Sequence, residues 1–144
     1  MALQAVLLVA VVGTSALGPP WPSTWKSPLG AGGAVLLLIG AGFLVGGARS
    51  LGSALTPLPR PRETGSLRDG GLYGLVRHPI YGAVMLIALG ASLRGSPLAL
   101  IPTVFLALLL FGKSIREERW LTERYPAYPA YRERVRRRFL PFIW

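Results

Sequence analysis

Four apolar runs, roughly residues 1–17, 29–48, 79–93 and 97–112, constrain the chain more than any other feature of it. Proline, glycine or charged residues separate each run from the next, so each reads as one helical element with a marked end. In a chain of 144 residues of which 51% are hydrophobic, four such blocks describe membrane helices better than the core of a soluble domain. The second run is long enough for about 30 Å of hydrocarbon, whereas the third and fourth fall short of the ~17-residue lower bound and must borrow flanking residues. The expected fold is all-α: a polytopic membrane helical bundle of about four transmembrane helices with a C-terminal cytoplasmic helical segment. A single domain covers 1–144, with two packing helices in 1–48, a cytoplasmic connector in 49–78, a helical hairpin in 79–112 and a cytoplasmic C-terminal segment in 113–144.

The charge distribution orients these helices. The net charge is +10, with basic residues concentrated between Arg49 and Arg77 and between Lys113 and Arg138, while the other loops carry only Lys26 and Arg94. The positive-inside rule places both basic segments in the cytoplasm and, with four spans, the N-terminus there as well. The first run lacks the basic n-region and small-x-small cleavage site of a signal peptide, so it is expected to remain as a helix. Arg132, Arg134, Arg136, Arg137 and Arg138 form a basic tail suited to anionic lipid headgroups, each worth about 1 kcal/mol near the surface, and this reading is preferred to nucleic-acid binding.

Other chemistry is excluded by what the chain lacks. It has no cysteine, which removes disulfides, thiolate metal sites and a cysteine nucleophile, and its one histidine removes a His-rich metal centre. The glycine-rich second run contains Gly42 and Gly46 at GxxxG spacing, expected to admit close approach of another helix. Thr56-Pro57-Leu58-Pro59-Arg60-Pro61-Arg62 is expected to be extended, because alternate prolines remove backbone donors.

Two polar clusters flank the apolar hairpin. The first is Gly71-Leu72-Tyr73-Gly74-Leu75-Val76-Arg77-His78-Pro79-Ile80-Tyr81. Pro79 suits the first position of a helix and pushes His78 into an extended conformation. The orphan N–H groups and dipole of that helix, with Arg77 beside them, favour an anion. The second cluster, Arg116-Glu117-Glu118-Arg119-Trp120, is followed by Tyr125, Tyr128 and Tyr131. Because the hairpin turns once, the two clusters are expected to meet near the cytoplasmic interface. Together they offer Arg77 for an anion, Glu118 or Glu117 for a cation, and Tyr73, Tyr81 and Tyr125 for aromatic contact, a pattern that fits a zwitterionic ligand. The competing reading is structural: Arg77 snorkels, His78 caps, and the glutamates pair with Arg119 and Arg124 on a solvated helix.

The Gly71–Tyr81 segment, followed by an apolar hairpin and then Glu117-Glu118, Leu121, Tyr128, Tyr131 and Val135, resembles the isoprenylcysteine carboxyl methyltransferase family and the related phospholipid methyltransferases over roughly residues 56–141. The resemblance implies an integral membrane methyltransferase that binds S-adenosylmethionine between the hairpin and the C-terminal segment and takes a lipophilic acceptor from the bilayer: an isoprenylcysteine-like carboxylate, a lipid headgroup or a small hydrophobic molecule. It implies cofactor contacts from Tyr73, Arg77, His78, Pro79, Tyr81, Glu118 and Tyr125, with no metal. Arg77, His78 and the helix N-terminus then face the cofactor's carboxylate, Glu118 its ammonium, and Tyr73 or Tyr81 its sulfonium. A carboxylate acceptor needs no base, whereas an amine acceptor must lose a proton, for which His78 and Glu117 are the catalytic candidates. The chain departs from the family in reading Tyr125-Pro126-Ala127-Tyr128, one residue shorter and with proline in place of glycine. Two other readings stand beside this one: a sterol- or steroid-type NADPH-dependent membrane reductase, and a non-enzymatic lipid-binding scaffold.

Overall fold

A computed structural model describes residues 2–52 and 69–141. Among these residues five α-helices follow in order: α1 (Ala2–Leu17), α2 (Ser23–Leu51), α3 (Pro79–Arg94), α4 (Leu100–Arg124) and α5 (Tyr128–Arg134). Short 3-10 turns occupy Gly71–Gly74 and Pro97–Ala99, and no strand occurs among the described residues. The extended connector expected at Thr56–Arg62 lies outside the described residues. The all-helical expectation therefore holds, and the four apolar runs correspond to α1 to α4.

The helix ends follow local chemistry. Gly18-Pro19-Pro20 closes α1, since neither proline can supply the next helical N–H. Helix α2 begins six residues before the apolar run and carries Pro28 inside its second turn, so Thr24 loses one intrahelical partner without the helix breaking. Ser96 caps the Pro97–Ala99 turn by accepting the Leu98 N–H, and that turn leads directly into α4. The fourth run and the acidic cluster are thus one continuous helix.

Among the described residues two elements are long and apolar enough to cross a bilayer, Ser23–Leu51 and Pro97–Arg124, both with mean hydropathy 2.1. Only 11% and 28% of their most apolar windows are buried within the protein. Leu38 (75% exposed) and Leu108 (62%) illustrate the outward apolar surface, which a bilayer covers and water does not. The short apolar helices are α1 and α3, at 16 residues each, or about 24 Å of rise. The fourth run, expected to be short, gains its length from the polar turns that continue it.

The chain divides into two compact units: Met1–Gly42 with Ala83–Leu110, and Phe43–Gly82 with Phe111–Trp144. In the first unit, α2 and α3 meet through glycine. A Cβ on Gly33 would lie 2.6 Å from the Gly90 carbonyl oxygen, and one on Gly90 would lie 2.7 Å from that of Gly33. One turn pair further on, Gly40 lies against Ala83 and Ile87. Close approach therefore uses Gly33 and Gly40, a heptad apart, and not the Gly42/Gly46 pair: Gly42 faces open space, and Gly46 meets Leu72 within the second unit. Buried hydroxyls in the first unit are satisfied internally. Ser92 Oγ donates to the Ala88 carbonyl at 2.8 Å and lies 2.8 Å from Thr103 Oγ1. The Ser92 carbonyl in turn accepts from the Trp21 indole at 3.1 Å.

Candidate active site

Every residue of the site belongs to the second unit. The approach to α3 is set by Gly71, whose φ of +60° lies in the left-handed region that favours glycine. A side chain there would also strike the Ser50 hydroxyl, which instead accepts the Leu72 N–H at 3.3 Å. After the Gly71–Gly74 turn, Val76, Arg77, His78 and Pro79 are all buried. The C-terminal segment pairs with this turn through its backbone, the Arg77 N–H donating to the Arg137 carbonyl at 3.0 Å and the His78 N–H to that of Arg138 at 2.7 Å. Gly82 completes the fit, because a Cβ at that position would strike the Phe139 carbonyl.

Arg77 and Glu118 form the centre. Arg77 Nε donates to Glu118 Oε1 at 2.9 Å, with side chains only 7% and 6% exposed. Arg77 Nη1 donates to the Val135 and Arg136 carbonyls at 2.8 and 2.7 Å. His78 Nε2 approaches the same Glu118 oxygen at 3.2 Å, and Arg138 Nη2 donates to Oε2 at 3.3 Å. A carboxylate accepts only, so in neutral His78 the proton sits on Nε2 and Nδ1 presents a lone pair. Such a node is held by mutual need: each buried charge would be costly alone, and each satisfies the other. The sequence offered Arg77 and Glu118 as separate receptors, and the structure pairs them.

Glu117 has a different environment. Its Oε2 accepts the Tyr81 hydroxyl at 3.0 Å and lies 3.7 Å from His78 Nδ1, and its side chain is 26% exposed. The rings of His78 and Tyr81 stack at 5.4 Å with a 1° interplanar angle. Lys113 Nζ lies 5.3 Å from the centroid of the Tyr81 ring, and Phe139 approaches His78 at 6.1 Å. This face therefore combines a reachable carboxylate, an aromatic surface and an imidazole nitrogen.

A tyrosine cluster closes the site. Tyr128, Tyr131 and Val135 are buried together, with Leu121 and Tyr125 packed against them. Tyr131 donates to the Tyr73 carbonyl at 2.7 Å, tying α5 to the turn that precedes Arg77. The shortened Tyr125-Pro126-Ala127-Tyr128 link makes a tight turn, the Tyr128 N–H donating to the Tyr125 carbonyl at 2.9 Å, and α5 follows at once. The Tyr128 hydroxyl is buried and has no hydrogen-bond partner among the described residues. Burial, then the charge of Glu118, pushes its pKa up, so it remains a protonated donor lacking an acceptor.

Of the residues singled out from sequence, Arg77, His78, Tyr81, Glu117 and Glu118 are linked in one chain of contacts, with Pro79 starting the helix that carries Tyr81. Tyr73 takes part through its carbonyl, and Tyr125 packs on the tyrosine cluster. Sequence reasoning missed Arg138 as a member of the Glu118 node. Nothing in an arginine-rich run distinguishes the one whose backbone pairs with His78. It also left Tyr128 without a role, although its place in the family motif was a usable signal.

Residues 29–128 match the phospholipid methyltransferase family. That match covers more than half of the chain and includes both polar clusters, so the chain belongs to the phospholipid methyltransferase family. No curated protein matches it. Membership, with its two long and mostly unburied apolar helices, makes this a membrane protein of a methyltransferase family, and the chemistry implies a methyl donor of the S-adenosylmethionine type.

Proposed function

We propose that the chain is an S-adenosylmethionine-dependent methyltransferase acting on a lipophilic acceptor that enters from the bilayer. The observation that carries this reading is the Glu117 face: a carboxylate oriented by Tyr81, partly open, and next to an aromatic stack. A ligand with an ammonium and a sulfonium needs a carboxylate and an electron-rich ring, and these residues supply both. The buried Tyr128 phenol, a donor with no acceptor among the described residues, fits the carboxylate of the same ligand. Bound S-adenosylmethionine supplies an electrophilic methyl group.

In this reading Glu117, Tyr81 and Tyr128 hold the ligand. Arg77, Glu118 and Arg138 hold the turn that places His78, and Tyr73 and Tyr125 support that turn and the tyrosine cluster. The apolar surroundings of Phe111 and Phe139 exclude water from the acceptor. A carboxylate acceptor needs only placement here, whereas a protonated amine would pass its proton to His78 Nδ1 or Glu117. All four apolar helices are taken to cross the bilayer, α1 and α3 with help from flanking residues, and both basic segments to face the cytoplasm.

The test is titration of S-adenosylmethionine, and separately NADPH, into protein held in lipid nanodiscs. Saturable S-adenosylmethionine binding is expected, weakened about tenfold or more in both Glu117→Gln and Tyr128→Phe, since each removes about 1.4 kcal/mol or more of contact. Unchanged affinity in both variants would overturn the assignment of this face. NADPH binding alone would transfer the case to a reductase, and binding of neither ligand to a scaffold.

A further inference from the structure

On α4, Arg119 lies about 160° around the helix from Glu117, so a second polar face exists that the proposed methyl-donor contacts do not use. A cleft of about 410 Å³ opens there, with Arg119, Arg132, Arg138, Glu118 and Glu123 among its walls. That volume falls in the range of small-molecule sites, about 300–1,000 Å³.

The charges in this cleft are unbalanced. Glu118 faces Arg77 and His78 through Oε1 and Arg138 through Oε2, so its single negative charge is shared with cations outside the cleft and only partly offsets the arginines within it. Arg138 reaches Glu118 Oε2 through Nη2 at 3.3 Å, longer than the ~2.7–2.9 Å of a strong charge-assisted bond, and its side chain is 22% exposed. The side chains of Arg119 and Arg132 make no hydrogen bond or ion pair among the described residues. Three arginines thus line one concave surface where Glu123 is the one lining carboxylate not already engaged by the Arg77 node. Planar guanidinium forks match the oxygens of a phosphoryl group, and several forks suit its multiple oxygens better than a single carboxylate would use them.

We propose that this cleft binds a phosphoryl group, carried either by an anionic lipid headgroup or by a soluble phosphate compound, as a site separate from the Glu117 face. It gives the basic C-terminal segment a defined receptor in place of a diffuse attraction to charge, and Arg138 links it to the Glu118 node.

The full chain in nanodiscs tests this without any activity assay. Inorganic pyrophosphate is titrated calorimetrically into discs of pure phosphatidylcholine, and thermal unfolding is compared between those discs and discs doped with phosphatidylglycerol, at matched ionic strength. The variants are the double substitution Arg119→Ala/Arg132→Ala, both exposed positions, and the control Arg134→Ala, which removes a basic residue that pairs with Asp69. Expected is saturable pyrophosphate binding, stabilisation by phosphatidylglycerol, or both, reduced about tenfold or more in the double variant and retained in the control. Response to pyrophosphate alone identifies a soluble ligand, and response to phosphatidylglycerol alone a lipid headgroup. No response to either probe, or equal losses in the double variant and the control, would overturn the proposal, the second outcome showing general electrostatic attraction.

Discussion

Glu117 and Glu118 are neighbours in sequence and chemically identical, yet their removal should have unequal consequences. Glu118→Ala leaves Arg77 as a buried cation whose Nε has lost its partner at 2.9 Å, beside a His78 and an Arg138 that lose the same carboxylate. Breaking one side of a buried pair costs about 3–5 kcal/mol, which lowers the folding equilibrium constant by about a hundredfold to several thousandfold. Glu117→Ala removes one hydrogen bond to Tyr81 at a partly exposed site, for about 1 kcal/mol. The assay is reversible unfolding of the full chain in detergent, followed by tryptophan fluorescence, with Arg77→Ala and the Arg77→Ala/Glu118→Ala double variant completing a cycle. The double variant should be less damaged than the sum of the single ones, since no lone charge remains buried. Equal costs for Glu117→Ala and Glu118→Ala, or strict additivity in the cycle, would refute the view of Glu118 as a buried structural counter-ion. A corollary concerns activity: lost turnover in Glu118→Ala has to be separated from lost folding, whereas Glu117→Ala reports on ligand contact in a folded protein.

Three further outcomes follow from the packing. Gly33→Ala should destabilise by about 1–3 kcal/mol, because its methyl group would lie 2.6 Å from the Gly90 carbonyl oxygen, while Gly42→Ala should be neutral or stabilising by up to about 1 kcal/mol, its Cβ pointing into open space; thermal unfolding of both variants in one detergent decides. Gly82→Ala should separate the C-terminal segment from the Arg77-His78 turn, visible as faster amide exchange at Arg77 and His78, whose N–H groups donate to Arg137 and Arg138. Burial pushes the Tyr131 hydroxyl up to about 12 from an ordinary value of 10.0. The unfolded chain therefore releases this proton first, so its stabilising contribution is complete below about pH 10 and is lost as pH rises toward 12. Tyr73 and Tyr128, also raised by burial, act in the same direction. Tyr131→Phe should flatten part of that alkaline decline in stability and cost about 1 kcal/mol at neutral pH through the lost bond to the Tyr73 carbonyl.

Helix positions were legible in the sequence because apolar runs and their proline and glycine boundaries act locally. The Pro79 start of α3 and the continuous passage of α4 into Glu117-Glu118 belong to this class. Which glycines admit a neighbouring helix was not legible. Gly42 and Gly46 have the better-known spacing, but contact is made by the glycines on the face turned toward α3, and facing is a property of the pair of helices.

The sequence by itself determined an all-helical, strongly apolar chain, a basic bias to two segments, and the two polar clusters that the family match unites. Only the tertiary structure decided how those clusters divide their work. A charge in water is indifferent to which counter-ion lies nearby, but burial makes an unpaired charge costly, so the fold selects one partner for Arg77 from several glutamates. It gives Glu118 to Arg77, His78 and Arg138 and leaves Glu117 with Tyr81 on a partly open face. Adjacent positions on α4 diverge by about 100° around the axis, and that rotation, acting with burial, separates a structural carboxylate from one available to a ligand.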